Sequence, residues 1–260
     1  KSQSDLNKFL MEINLEITKS KLRKPEIDKI AMQTVGMIDD LDKILNLFVE
    51  RLREWYGMYF PEINDLLKNH ESFLDFVANK TRRDLFGKDG AKLRFESAGM
   101  ELSDEDLQEI KETSKDVYGL YQRRKNLEAY LKRTMESIAP NASALAGADL
   151  AARLVARAGG LDKLAKMPSS TIQLLGSEKA LFRFLKGQGK SPKHGIIFFH
   201  PSIINSPIPV RGKVARLLAS KIAIAARIDC YSKDNRGAKL KADFETALGK
   251  IVEDFKRSKS

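Results

Sequence analysis

"IDKIAMQTVGMIDDLDKILNLFVERLREWYGMY", residues 27–59, decides the fold class. Apolar side chains recur by threes and fours at Ile27, Ile30, Met37, Leu41, Ile44, Phe48, Leu52, Trp55 and Tyr59, with Thr34 filling one slot. A near-heptad seam of this length predicts a long coiled-coil helix. Upstream, Leu6, Phe9, Leu10, Ile13, Leu15 and Ile17 predict a helix over residues 1–24, closing on the basic "KSKLRK" before Pro25. Downstream, Pro61 stands at a favoured first helical position. Short helices are expected at 61–69 and 71–86, then the glycine-bearing loop "GKDGAKLRFESAG" at 87–99. "SDED" at 103–106 reads as a helix start: Ser103 can accept from free amides, and three acids suit the positive helix end. The helix it opens carries Leu107, Ile110, Val117, Leu120, Leu127, Leu131, Met135 and Ile138 and stops at Pro140. Two long helices around a shorter helical insert predict an antiparallel hairpin with an elaborated tip. So long an apolar edge calls for a second copy or another chain.

Composition changes after Pro140. "NASALAGADLAARLVARAGG" (141–160) is an alanine-rich helix stopped by Gly159-Gly160. "LDKLAKMPSSTIQLLGSEKALFRFLKG" (161–187) gives a short helix, a Pro/Ser break and a helix over 177–186. "GIIFFHP" (195–201) reads as a short extended piece. "RGKVARLLASKIAIAARIDCYS" (211–232) is a strong helix with Val214, Leu217, Leu218, Ile222, Ile224 and Ile228 on one face. An amphipathic helix over 237–257 closes the chain. The expected class is all-α: a linker or terminal helix over 1–24, a coiled-coil domain over 25–139 and a compact helical domain over 140–260.

The chain of 260 residues has a net charge of +11, from 46 Lys/Arg against 35 Asp/Glu. From Gly176 to Lys221 nine of the basic residues gather: Lys179, Arg183, Lys186, Lys190, Lys193, Arg211, Lys213, Arg216 and Lys221. Glu178 is the one acid among them. Solvated helix faces usually mix both signs, so this asymmetry points to a polyanion, most simply nucleic acid. The single cysteine, Cys230, excludes an internal disulfide framework and fits a reducing compartment. No apolar run has the length of a membrane span, and no stretch reads as a signal peptide. The chain begins at Lys1 without Met and reads as a fragment.

Gly189-Lys190-Ser191 imitates the end of a phosphate-binding P-loop, which needs a glycine five residues earlier. Phe184 stands there, and Pro192 and Gly195 follow where a helix should open. The three histidines, His70, His194 and His200, have no metal-ligand spacing to Cys, Asp or Glu. No Gly-x-Ser-x-Gly elbow occurs. Gly176-Ser177-Glu178-Lys179 is more informative. Gly176 breaks the chain, Ser177 can cap the next helix, and Lys179 and Arg183 lie one turn apart on it, a workable phosphate site. Loop residues Lys190, Lys193 and His194, with Arg211 and Lys213 at the start of the next long helix, can converge on the same backbone. His194 and His200 can stack on an unpaired base; Phe199 is expected to be buried. His70 is expected on the surface.

"STIQLLGSEKALFRFL", "SPKHGIIFFHP" and "RGKVARLLASKIAIAARIDCYS" together resemble the Nop domain and, more closely, that of the archaeal Nop scaffold of box C/D small ribonucleoproteins. "EWYGMYFPEI" (54–63) resembles that family's coiled coil. The family's turn motif is Gly-Ala-Glu-Lys; here it is Gly176-Ser177-Glu178-Lys179. The resemblance implies an all-α scaffold with no catalysis and no cofactor of its own. Its coiled coil makes a homodimer, and its Nop domain clamps kink-turn RNA, here box C/D guide RNA, together with a small ribosomal-like protein bound to that RNA. An N-terminal domain, expected to be missing here, recruits fibrillarin for 2′-O-methylation. The implied location is cytoplasmic in an archaeon and nucleolar in a eukaryote, with no membrane partner. Carried onto this sequence, the docking residues are Gly176, Ser177, Glu178, Lys179, Arg183, Lys190, Lys193, His194, Arg211, Lys213 and Arg216. Two rivals stand beside it: an RNA-binding module of a nuclease or helicase, which lacks its acidic metal cluster or phosphate loop, and a coiled-coil adaptor with a basic face.

Overall fold

The computed structural model describes residues 3–22, 26–80, 97–232 and 234–257. Among these every regular element is helical, as the periodicity predicts. The chain divides into two compact units, Gln33–Arg133 and Lys1–Met32 with Thr134–Ser260. The ends of the predicted 1–24 helix, most of the 71–86 helix's second half and nearly all of the 87–99 loop lie outside the described residues.

In the unit of residues 33–133, the core is drawn from α2 (Ile27–Tyr59), α3 (Ile63–Leu66), α4 (His70–Asn79) and α5 (Asp104–Ile138). Leu45, Val49, Leu52, Tyr56, Phe60, Ile63, Phe73, Leu74, Ile110 and Val117 pack into one cluster. The buried line on α2 is Ala31, Val35, Ile38, Leu41, Leu45, Val49, Leu52 and Tyr56. This corrects the seam expected from sequence, whose Ile27, Ile30, Met37, Ile44 and Phe48 are exposed. The cause is the pairing of apolar neighbours, Ile44 with Leu45 and Phe48 with Val49. The helix carries an apolar stripe too wide for its own partners, and only one edge is covered. Arg124 pairs with Asp42, and Met100 N donates to Met58 O at 2.8 Å, so α2 and the chain of α5 run antiparallel, as predicted.

Helix ends follow local chemistry. Ser103 Oγ accepts from Asp106 N at 3.1 Å, the expected cap. The short helix after Pro61 is only Ile63–Leu66 rather than 61–69. Asn69 Oδ1 accepts from Ser72 N and starts α4. His70, expected on the surface, is half-buried at the first position of α4. Arg53 donates to Leu67 O at 2.7 Å and lies 4.4 Å over the Phe73 ring, holding the end of α3 against the core.

The other unit begins with α1 (Gln3–Leu22), whose Leu6, Phe9, Leu10, Ile13, Leu15 and Ile17 are all exposed. After α5 come α6 (Pro140–Ala146), α7 (Ala148–Ala158), α8 (Leu161–Lys166) and α9 (Ser169–Leu174). The single helix expected over 141–158 is two helices. Gly147 adopts φ 81°, a left-handed conformation that ends α6. Gly159 is left-handed as well, and Gly160 N reaches back to Val155 O at 3.0 Å, the helix stop that Gly-Gly predicts. The Pro/Ser break is the start of α9.

Next are α10 (Glu178–Leu185), a 3-10 turn at Ile196–Phe199, α11 (Pro201–Ile204), α12 (Arg211–Arg227), a π turn at Ile228–Ser232 and α13 (Gly237–Arg257). "GIIFFHP" is therefore helical, not extended. Helix α12 is the axis, packed against α6, α8, α9 and α13. Val214, Ala215, Leu218, Ala219, Ile222 and Ala223 are buried along it, while Ile224, expected on that face, is exposed. The π turn carries Asp229 inward, where its carboxylate accepts from Asn141 N (3.0 Å), Asn141 Nδ2 (2.6 Å) and Ala142 N (2.9 Å). It caps α6. Burial pushes the Asp229 carboxyl up from its ordinary value, against the downward pull of these donors. Cys230 is half-buried, and burial raises its thiol too, which keeps it protonated.

Candidate nucleic-acid interface

The basic stretch that starts at Gly176 is built around a close return of the chain. Residues 193–196 run back along the end of α9: Gly195 N donates to Gln173 O, and Ile196 N to Leu175 O, both at 2.8 Å. Two glycines allow it. A Cβ on Gly195 would lie 1.9 Å from Leu175 O, and one on Gly176, itself at φ 87°, would lie 2.4 Å from Ile196 Cγ2. Gly176 thus turns the chain into α10, as expected. Ser177 does not cap that helix: its Oγ donates to Leu174 O at 2.6 Å. The carboxylate of Glu178 closes the turn, accepting from Gly176 N at 2.6 Å.

Helix α10 has no buried residue. Lys179 and Arg183 are exposed on it, and so are Phe182, Phe184 and Leu185. Gly187 and Gly189 both take positive φ in the loop that follows, and Lys190-Ser191 leads into that loop rather than a helix, so no phosphate-loop geometry forms. Lys190 and Lys193 are exposed.

Three of the expected cations meet. Lys193, Lys213 and Arg216 line a hollow of about 410 Å³ with Gln173, Ser191, Pro192, Pro209 and Gly212. Lys179, Arg183 and Lys190 do not line it. None of the three lining cations has a carboxylate partner among the described residues. Arg211 is used differently. Its guanidinium donates to Ser206 O (3.0 Å) and Ile204 O (2.8 Å), tying down the end of α11, and lies 5.7 Å over Phe198.

His194 stacks on Phe198 with ring centroids 4.5 Å apart, rather than standing free for a base. Burial holds its imidazole below the usual value, and Arg211 and Lys193 push the same way. His200 is a structural group. Its Nδ1 accepts from Ser202 N at 3.2 Å, which leaves Nε2–H facing Leu145 O at 3.3 Å, and Phe244 meets it edge-on. Phe199, expected to be buried, is 69% exposed. Gln173 and Phe198 are not among the residues expected from sequence. A lone glutamine between Ile172 and Leu174 was the available signal, since a polar residue inside an apolar turn must find a partner.

Comparison with known proteins gives one family. A family model described as "Nop: snoRNA binding domain, fibrillarin" matches residues 37–250. The chain is 44% identical over 257 residues to an uncharacterized NOP5 family protein of Methanocaldococcus jannaschii, covering 93% of this chain and 61% of that protein. It is 39% identical over 234 residues to human nucleolar protein 56, covering 83% of this chain and 39% of that one. The chain thus spans only part of the length of these relatives. Among solved structures, the crystal structure of a fibrillarin/Nop5p complex matches with TM-score 0.57 at 25% identity, over 95% of this chain and 78% of that one.

Proposed function

This chain belongs to the Nop family, and we propose that it is a non-catalytic scaffold of a box C/D guide ribonucleoprotein directing 2′-O-methylation of RNA. Residues 140–260 dock onto kink-turn RNA and the ribosomal-like protein bound to it. Residues 25–139 pair with a second copy, and residues 1–24 are a linker or the last helix of an N-terminal domain. Fibrillarin is the methyltransferase partner, recruited by the N-terminal domain that the family resemblance implies. In a eukaryote the assembly is nucleolar; in an archaeon, cytoplasmic.

The observation that carries the reading is α10. One helix offers Lys179 and Arg183 beside Phe182, Phe184 and Leu185, with none of its residues buried. Attraction to RNA phosphates needs only the cations. An apolar set beside them suits a surface that is part RNA and part protein, since protein interfaces centre on desolvated apolar anchors. The pairing reading draws on α2, where Ile30, Met37, Ile44, Leu47, Phe48 and Met58 leave one edge of the seam exposed.

A gel shift with box C/D RNA, with and without its primary protein, tests the proposal. The chain alone should bind weakly, and the protein-bound RNA tightly. Lys179→Ala with Arg183→Ala should flatten the salt dependence of ternary assembly by roughly two units of slope, about one for each lost phosphate contact. Wild-type assembly by that double variant across a salt series overturns the assignment of this surface.

A further inference from the structure

We infer that the hollow between residues 191–193 and the start of α12 seats one ribose-phosphate unit of a bound RNA, with Gln173 accepting a hydrogen bond from its 2′-hydroxyl. The inference rests on the RNA reading above and adds a chemical selectivity to it.

The hollow has two kinds of wall. Lys193, Lys213 and Arg216 supply positive charge, and among the described residues no carboxylate pairs with them and no acid lines the space. That wall suits a phosphate, and it would serve DNA as well as RNA. Gln173 is the other wall. It is only 9% exposed, and its Nε2 donates to Lys193 O at 2.6 Å. A carbonyl can only accept, so this bond fixes which end of the amide faces the loop. Gln173 Oε1 accepts from no group among the described residues. Every fully enclosed side-chain polar atom described has a partner, so this oxygen is not fully enclosed, and its residue lines the hollow.

An acceptor among three cations is a poor match for a phosphate alone. It matches an anion that carries a hydroxyl donor a few ångströms away. In a nucleic-acid strand that pair is a phosphate and a ribose 2′-hydroxyl, the group by which a protein tells RNA from DNA. The residue is held twice: its side-chain Nε2 donates to Lys193 O, and its main-chain carbonyl accepts from Gly195 N at 2.8 Å. A preset acceptor costs little to order on binding. The hollow's volume, about 410 Å³, lies within the range of small-ligand sites, about 300–1,000 Å³.

The test is a scan of single 2′-deoxy substitutions through a kink-turn RNA bound to its primary protein, read as affinity for this chain. With the wild-type chain, one nucleotide should show a loss of about tenfold, the scale of one buried acceptor left unpaired. Gln173→Met should bind the all-ribose RNA about as weakly as the wild type binds that deoxy RNA, and should be insensitive to deoxy substitution there. Its salt slope should be unchanged, because no phosphate contact is lost. If Gln173→Met fails to fold, Gln173→Leu, which likewise removes the acceptor oxygen without adding charge, should be insensitive to deoxy substitution at the same nucleotide. A flat scan with the wild-type chain overturns the inference and leaves the RNA reading standing. An undiminished penalty in Gln173→Met also overturns it. So does uniform weakening with a shallower salt slope, which would make Gln173 only a brace for Lys193. Failure of the wild-type chain to bind the all-ribose complex sinks the RNA reading itself.

Discussion

Helices α10 and α12 begin from similar sequence logic and end in opposite places. Both alternate apolar and basic residues at helical spacing. On α12 the apolar face disappears into the unit: Val214, Leu218 and Ile222 are each 0% exposed. On α10 nothing is buried, and Phe182 and Leu185 are 64% and 68% exposed. Amphipathic spacing says that a helix has a face to cover; it does not say what covers it. For α12 four neighbouring helices do. For α10, on the reading above, an RNA-bound protein does.

The contrast predicts two very different alanine variants, and this is the largest effect expected. Leu218→Ala removes a fully enclosed side chain at the axis of its unit and should cost about 3 kcal/mol, in the usual range for buried leucines. Phe182→Ala should leave the melting of the isolated chain almost unchanged, within about 0.5 kcal/mol. It should weaken assembly on the RNA–protein complex by at least about tenfold, as loss of an aromatic anchor does. Equal destabilisation by both variants in thermal melts would mean that α10 is core, and the contrast would collapse.

A smaller version of the same contrast lies along α2, between Val49, fully buried, and its neighbour Phe48, 43% exposed. Phe48→Glu should leave helix content and core packing intact while converting a dimer into a monomer in light scattering. Charge in the middle of an apolar pairing surface cannot be desolvated cheaply. A wild-type chain already monomeric at micromolar concentration would break the pairing proposal without touching the fold.

What the sequence made legible is what local chemistry decides. The long helices, the Ser103 cap and the Gly159-Gly160 stop are set by spacing and by backbone conformation within a few residues. Other features depended on distant neighbours. The seam on α2 was misplaced because Ile44-Leu45 and Phe48-Val49 each offer two candidates, and only Phe73, Leu74 and Val117 choose between them. Residues 141–158 read as one helix because Gly147 is tolerable in a helix; its left-handed φ is imposed by the turn into α7. The basic cluster was legible as an imbalance of charge. Its inner division was not. Nothing in "PVRGKVAR" tells that Arg211 turns back to the carbonyls of Ile204 and Ser206 while Lys213 and Arg216 face a hollow. Gln173 was invisible for the same reason: its partner, Lys193 O, is 20 residues away.

The smallest predicted effect separates the two histidines of the basic half. His200 is more enclosed than His194, and burial holds its imidazole below its ordinary value of 6.5. Nδ1 is occupied as an acceptor by Ser202 N, so a second proton has to displace that cap. The folded chain therefore resists protonation where the unfolded chain accepts it. Stability is fully present above the unfolded value and falls as pH drops below about 6.5, because the unfolded state then binds more protons. The slope should be shallow, a fraction of one proton, since the ring is only partly shielded. His200→Asn keeps a cap acceptor near the same place but cannot take up a proton. In chemical denaturation at pH 7.5 and pH 5.5, the wild type should lose more stability on acidification than His200→Asn does. Burial lowers His194 as well, so a residual slope should survive in His200→Asn and disappear when His194 is also replaced. Identical pH dependence in the wild type and His200→Asn would mean that Ser202 N and Leu145 O impose no protonation state on the ring. His200 would then be no more a structural group than the exposed Phe199 beside it.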